Sequence, residues 1–392
     1  MSVLDLFRTR AIDASDFALD TDFGSKTDSG ITVDGNTAMQ LVSVYACVTL
    51  IADSVRSMPV DVFRDRNGER TEVPKPSWMV APNPEQSWGQ FLDYAMNSLL
   101  IAGNVFLLAA SKDSAGFPTE LWVIHPDDVK VSRENRRKLV IAGPDQRKLS
   151  VITGSNPLGE VLHVMGHTAD GLIGLSPVEK AAESIGWGLA TEKFGNKFFG
   201  QGATPGGVVE MPAGSNPTEP QLTQLGRDFR RKYSGTDNAW KPIVLANGAS
   251  FKPISIPNDQ AQFIESRKFS VSEIARLYRV PPHMIGDVER STSWGSGIEE
   301  QGIGFVTYTL MPWITRLEEA LSLLLPRGQY VKFNANALLR GDQKGRYEAY
   351  QLAVTNGILT RNEVRVLEEL EPLDGLDEPL TPLNMNQGQP DV

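Results

Sequence analysis

The sequence predicts an α+β fold, and three observations point to it. Apolar residues recur at spacings of three and four over 41–55, 88–99 and 303–324; short alternating runs bounded by turn residues fill 59–165; and two long helical stretches enclose a unit bordered by Gly and Pro clusters.

Residues 1–35 are acidic, contain Ser and Gly but few large apolar residues, and read as a disordered arm. Order is expected from Asn36, read as an N-cap. Leu41, Val44, Tyr45, Val48, Ile51, Ala52 and Val55 then mark a helix with one buried face, which Pro59 ends. PVDVFRD followed by Asn67 and Gly68 predicts a strand entering a hairpin turn. Trp88, Phe91, Leu92, Ala95 and Leu99 predict a second helix. The runs NVFLLAAS, ELWVIHP, DVKVS, KLVIAG and EVLHVM predict strands in a mainly antiparallel meander.

From Ser176 the pattern changes. Ser176 before Pro177 opens a helix that nothing interrupts until about Phe199. GQGATPGG closes it, and GVVEM, the charged helix QLTQLGRDFRRKYSG, KPIVLANG and FKPISI predict a small α/β unit. A further helix runs from about Asp259 to Val280, where Pro281 and Pro282 stop it. A Ser-, Thr- and Gly-rich hairpin follows, and then one long helix from Gly297. Drawn to Leu325 it would be about 43 Å long, with a kink at Pro312. YVKFNANALL predicts a strand returning to the first body. A helix from Asp342 ends at Asn356 and Gly357; Thr360 with Glu363 forms a capping box for the last helix; and the end of the chain reads as a disordered tail.

Composition excludes several functions. With 48 acids against 38 bases the net charge is −10, which disfavours a protein that grips nucleic acid by neutralising phosphates. It is compatible with one that lets nucleic acid slide past. Cys47, the one cysteine, lies in an apolar helical pattern and reads as a small buried hydrophobe. The longest apolar run, Leu99 to Ala110, is broken by Gly103 and Asn104 and is too short to cross a bilayer. The N-terminus acquires acids where a signal peptide needs an apolar stretch, so a cytoplasmic origin is expected.

Motifs for chemistry do not assemble. There is no Gly-Lys dipeptide for a phosphate loop. GLSPV at 174–178 has Val178 where a nucleophile elbow needs glycine, so Ser176 reads as a helix cap ahead of a hydrolase nucleophile. His163 and His167 fall on a strand and the loop after it, where four-residue spacing does not align side chains. Neither a metal nor a cofactor is expected. Two basic clusters remain: Arg133, Arg136, Arg137, Lys138, Arg147 and Lys148 around a hairpin, and Arg227, Arg230, Arg231 and Lys232 on the helix of the inserted unit. The first reads as a solvated face; the second is the better placed to dock an acidic partner.

Eight strings in order give the chain a family resemblance: SVYACVTLIADSVRSMPVDVF, PNPEQSW, LLIAGNVFLL, GLSPVEKA, KFFGQGATPGGVVE, IARLYRVPPHMIGD, TLMPWITRLEEAL and GILTRNEVRVLEEL. Together they resemble the portal proteins of tailed double-stranded DNA bacteriophages, of the long-tailed type, over about 38–372. The resemblance implies a ring, typically of twelve subunits, at one capsid vertex, through which DNA is packaged and ejected. It implies a wing at 36–175, stem helices at 176–200 and 258–281 and a clip at 201–257. A tunnel loop at 282–297, a long kinked helix with a returning wing strand at 298–341 and a crown at 342–372 follow, with a tail at 373–392. The implied channel residues are Asp287, Val288, Glu289, Arg290, Ser291, Thr292, Ser293 and Trp294, and Arg227, Arg230, Arg231 and Lys232 would face the partner of the clip. The implied partners are further copies of the chain, double-stranded DNA, the major capsid protein, the large terminase and the head-tail adaptor, with no membrane. Another ring of the virion, in the tail or baseplate, is the alternative, and a serine hydrolase using Ser176 a remoter one.

Overall fold

The structure, a computed structural model, describes residues 24–134, 137–143, 146–200, 207–211, 218–233, 250–253, 260–287, 296–338, 343–368 and 370–380. Ordered chain begins ahead of Asn36. β1 (Ser25–Lys26) and β2 (Thr32–Val33) form a hairpin inside the stretch read as an arm. Two buried side chains, Val33 and Thr27, the latter close against Gly186, hold it, and neither contact shows in composition. The first cap is Asp34, which accepts from the Thr37 amide at 2.7 Å to open α1 (Gly35–Ala38).

α2 (Val42–Arg56) buries Val44, Cys47, Val48, Ile51, Ala52 and Val55. Tyr45, expected on that face, is 55% exposed, because it lies at the margin of the stripe. β3 (Val60–Arg66) turns through Asn67 and Gly68, both at positive φ, into β4 (Glu69–Val73). Two consecutive left-handed residues give the turn that matches strand twist. After the short α3 (Ser77–Val80), Ser87 and Gln90 form a capping box on α4 (Trp88–Ala102), and Gly103 ends it at φ 71°.

β5 (Asn104–Lys112) pairs with β6 (Pro118–Ile124) and with β10 (Val161–Met165), while β7 (Val129–Glu134), β8 (Arg137–Ala142) and β9 (Arg147–Ser150) make a separate sheet. All these pairs are antiparallel. The expected single helix after Ser176 is two: α5 (Pro177–Lys180) and α6 (Ala182–Gly200), broken at Ala181, φ −108° and ψ 17°. No breaker marks this in the sequence. The bend turns Val178, Ala182 and Ile185 into one core. Of the inserted unit, β11 (Gly207–Glu210), α7 (Glu219–Tyr233) and β12 (Ser250–Pro253) are described, β11 pairing with β12; KPIVLANG lies outside the described residues.

α8 (Gln260–Tyr278) follows. The long helix predicted from Gly297 is three segments: α9 (Ser296–Gly304), a π-helix at Phe305–Leu310 and α10 (Met311–Ser322). The kink expected at Pro312 thus takes the form of a widened turn upstream of it. Proline has no N–H to give the carbonyl four residues back, and the Met311 amide bonds Val306, five back. β13 (Gln329–Phe333) returns to pair with β3.

α11 (Gln343–Thr355) and α12 (Arg361–Leu367) are the last helices among the described residues. Residues 373–380, read as part of a disordered tail, fold back instead. The buried Asn362 amide donates to the Leu373 carbonyl and Asp377 carboxylate, each at 2.8 Å, and its oxygen accepts from the Leu373 amide. A single side chain with this many bonds holds a segment whose composition alone reads as loose.

One apolar core joins α2, α4, β3, β5, α8, the π-helix and α10; a smaller one lies under β7–β9, with Phe106, Val140, Leu149 and Val161.

Candidate functional site

Residues 288–295 lie outside the described residues, so the structure defines their two flanks. Of the eight channel positions, Asp287 alone is described, and Val288 through Trp294 are not. The incoming flank is anchored by α8. Ile274 and Tyr278 are buried, and the Tyr278 hydroxyl donates to the Leu100 carbonyl at 3.3 Å. Burial keeps that phenol far above its usual range, so it stays a donor.

The helix stops in a left-handed residue, Arg279 at φ 58°, and the Val280 amide reaches back five residues to Ala275. Pro281 and Pro282 then start a 3-10 turn at Pro282–Ile285, which Gly286 ends at φ 88°. Two prolines preset φ and remove donors, so the chain turns without leaving unpaired amides. The Ser272 hydroxyl lies 3.5 Å from an Asp287 carboxylate oxygen. His283 is part of the 3-10 turn, its carbonyl accepting from the Gly286 amide.

The outgoing flank is α9, which runs on into the π-helix, its first stretch with buried side chains among the described residues. The buried residues of the π-helix are Phe305, Val306, Thr309 and Leu310. The Thr309 hydroxyl, 3% exposed, donates to the Arg279 carbonyl. One bond therefore ties the end of α8 to the helix beyond residues 288–295. A widened turn shifts side chains by about one position, and it is this shift that brings a polar threonine to a buried carbonyl.

The other candidates separate into structural roles. Ser176 accepts from the Glu179 amide at 3.1 Å and donates to the Ile101 carbonyl at 2.8 Å, so its hydroxyl is engaged as a cap and a tie. Both Asn104 side-chain hydrogens go to carbonyls, of Ala102 and Gly174, so its oxygen accepts, from the Gly174 amide and from His163 Nε2. This assigns the His163 proton to Nε2. The ring stacks on Phe106 at 4.2 Å, and burial, with Lys138 nearby, pushes its pKa down to about 3. His163 is thus a neutral strut. Cys47 is buried and its thiol is pushed up to about 12 by desolvation.

In the first basic cluster Arg147 pairs with Glu160 at 2.8 Å and Lys148 with Glu134 at 2.5 Å. Lys138 packs its amine on the Met165 sulfur, and burial lowers its pKa to about 8. Arg136 lies outside the described residues. Arg227 is exposed on α7, and Arg230, Arg231 and Lys232 fall on the same helix. Sequence reasoning missed the Thr309–Arg279 tie and the Asn104 hub. Asn104 directly after a helix-ending Gly103 is the one signal that could have raised the second.

The chain is thus an α+β body in which α6 and α8 bracket an inserted unit and a broken helix, α9 to α10, lies beyond residues 288–295. The phage portal protein family model matches residues 43–369, and this chain belongs to that family. It is 38% identical over 381 residues to the probable portal protein of Streptomyces phage phiC31, covering 93% of this chain and 82% of that one. It is 32% identical over 359 residues to the portal protein of Enterobacteria phage HK97, covering 88% and 82%. The fold is shared with the neck of a native gene transfer agent particle computed with C12 symmetry, at a TM-score of 0.58 and 23% identity, over 86% of this chain and 92% of that chain. It is also shared with an HK97-family phage portal protein from Corynebacterium diphtheriae, at a TM-score of 0.58 and 15% identity, over 78% and 97%.

Proposed function

We propose that the chain is the repeating subunit of a ring-shaped channel at one vertex of a phage capsid, through which double-stranded DNA is packaged and later ejected. The observation that carries this reading is the family match over residues 43–369. On this reading 36–175 is the wing, 176–200 and 258–281 the stem, 201–257 the clip, 282–297 the tunnel loop, 298–341 the kinked helix with its returning strand, and 342–372 the crown. A closed ring needs a rigid wall and a channel lining that tolerates a polymer of unmatched symmetry. The stem helices supply the wall, and the segment 287–294, whose flanks are held, supplies the lining.

The net charge of −10 suits a channel that touches phosphate sparingly, with Arg290 as the local exception. Arg227, Arg230, Arg231 and Lys232 suit the clip as a docking surface for the large terminase and then the head-tail adaptor; the shell around the ring is the major capsid protein. The subunit is made in the host cytoplasm, ends in the virion and performs no chemistry of its own.

Native mass spectrometry with negative-stain images of the same fraction tests the ring. A closed ring with an axial hole is expected; a compact monomer that stays monomeric when co-expressed with capsid protein overturns the reading. Replacing residues 288–294 by a short Gly linker tests the lining. Intact rings with impaired packaging or retention of DNA are expected, and normal packaging removes the assignment.

A further inference from the structure

Three donors at the start of α2 have no acceptor among the described residues. Val42 and Ser43 occupy the first two helical positions, where a helix offers no carbonyl of its own to their amides, and Leu41 brings no side-chain cap. The third is Ser270 on α8, a residue only 7% exposed whose hydroxyl has no hydrogen-bond partner. All three residues line one hollow of about 190 Å³ between α2, α6, α8 and the 3-10 turn, with Leu41, Val271 and Ile285 as its apolar walls. Gly188 on α6 keeps it open: a Cβ there would lie 2.8 Å from the Ser270 hydroxyl oxygen and 3.0 Å from a Leu41 methyl. A buried hydroxyl without a partner is costly, so the hollow favours an acceptor that reaches into it.

Size, charge and chain connectivity identify the occupant. The hollow is smaller than the roughly 300 Å³ at which small-molecule sites begin, and it admits one side chain. Amides at a helix start together with a hydroxyl select a carboxylate. Glu192 belongs both to the hollow and to a furrow along α6 that Ile31, Thr32, Gln40, Lys193 and Lys197 help to line. Two lysines against that one acid leave the lining positive. Gly24 lies at the same place, since a Cβ on it would come within 2.5 Å of the Thr32 methyl. The chain ahead of Gly24 therefore starts beside the furrow. Over 11–23 it carries Asp13, Asp16, Asp20 and Asp22 and no base, with Ile12, Phe17, Leu19 and Phe23 set among them. Thirteen residues reach up to about 40 Å, well beyond the ~14 Å from Gly188 to Lys197 along α6.

We propose that residues 11–23 dock in the α6 furrow of their own chain, and that one of their aspartates caps α2, its carboxylate accepting from the Val42 and Ser43 amides and the Ser270 hydroxyl. Lys193 and Lys197 attract the remaining acids, and the apolar side chains between them meet Ile31, Leu41 and Val271. A helix that brings no cap of its own is thus capped by a remote segment, which fastens the start of α2 to α6 and α8. The contact lies within one copy, so the inference stands apart from the ring reading.

The test is residue-resolved hydrogen exchange on the full chain, with native mass followed in parallel. Amides at the first two positions of a helix normally exchange almost freely, whereas those of Val42 and Ser43 are expected to be slowed by at least about tenfold. Replacing Asp13, Asp16, Asp20 and Asp22 together by Ala is expected to remove that protection and leave the centre of α2 unchanged, and Ser270→Ala to reduce it. Free exchange at Val42 and Ser43 in the parent chain overturns the proposal, as does protection that survives the fourfold variant. Protection found in oligomers and lost in monomers overturns it too, because it reports the surface of a neighbouring copy. As a second measurement, light and heavy-isotope chains are mixed and treated with a carbodiimide. Links from an arm aspartate to the exposed Lys193 or Lys197 are expected with both partners of one isotope. Mixed-isotope links overturn docking within one chain, and the absence of links counts against the furrow.

Discussion

The Thr309 hydroxyl donates to the Arg279 carbonyl, joining the end of α8 to the π-helix across thirty residues of chain. Arg279 holds a left-handed backbone that a non-glycine residue rarely adopts, and the bond is one of the contacts that keep it there. Replacing Thr309 with Val keeps the shape and leaves a buried carbonyl without that donor. The expected loss is about 1–3 kcal/mol in chemical denaturation, with faster amide exchange confined to 276–287 and 300–311. Thr309→Ser restores the donor and is expected to recover most of the loss. Unchanged exchange at both flanks in the Val variant would show that the Thr309–Arg279 bond does not hold them together.

His163 makes stability depend on pH. Its pKa is about 3 in the fold against 6.5 for a free histidine, so between these values the unfolded chain holds a proton that the native chain does not. Stability therefore rises with pH across this window, and it falls progressively as the solution is acidified from about pH 6.5 towards 3. Protonation would place an N–H at Nδ1, a buried atom with no partner among the described residues. His163→Phe is expected to flatten the acid limb of stability against pH by on the order of a few kcal/mol, while costing some stability near neutrality through Asn104. Parallel acid limbs in the two proteins would contradict the assignment.

Gly103 sits at φ 71°, and a Cβ there would lie 2.2 Å from the Leu175 carbonyl oxygen. Gly103→Ala therefore combines a left-handed penalty with a backbone clash between α4 and the chain leading to Ser176. The expected cost is at least about 2–4 kcal/mol, read as a lower denaturation midpoint or insoluble expression. Gly171→Ala, at φ 70° with open space around it, is the control and carries the smaller penalty alone, about 1 kcal/mol.

Cys47 is expected to be inert. A thiol buried in α2 with a pKa of about 12 has almost no thiolate at pH 8. Reaction with Ellman's reagent should be negligible in the folded chain and stoichiometric in denaturant; rapid labelling of the folded chain would show that α2 is accessible there.

Much of the fold is legible in the sequence where a local rule has one solution. Asn67-Gly68 specifies the hairpin turn, Ser176 before Pro177 specifies a helix start, and Thr360 with Glu363 specifies another. Each feature depends on backbone hydrogen bonds within four residues. The errors have the opposite character. The hairpin at 25–33 depends on Thr27 meeting Gly186; the fold-back of 373–380 depends on Asn362; and Tyr45 is exposed although it fits a helical spacing. In each case the deciding contact is remote in sequence or absent.

The sequence by itself determined the order of elements, the apolar faces of α2, α4 and α10, and, through eight ordered strings, the family. It could do so because periodicity, capping and proline act locally. Only the tertiary structure decided that the long helix beyond residues 288–295 contains a π-helix and that Thr309 lands on the Arg279 carbonyl. Those outcomes depend on the packing of α2, α8 and α10 against one another, where a shift of a single residue changes which side chains meet.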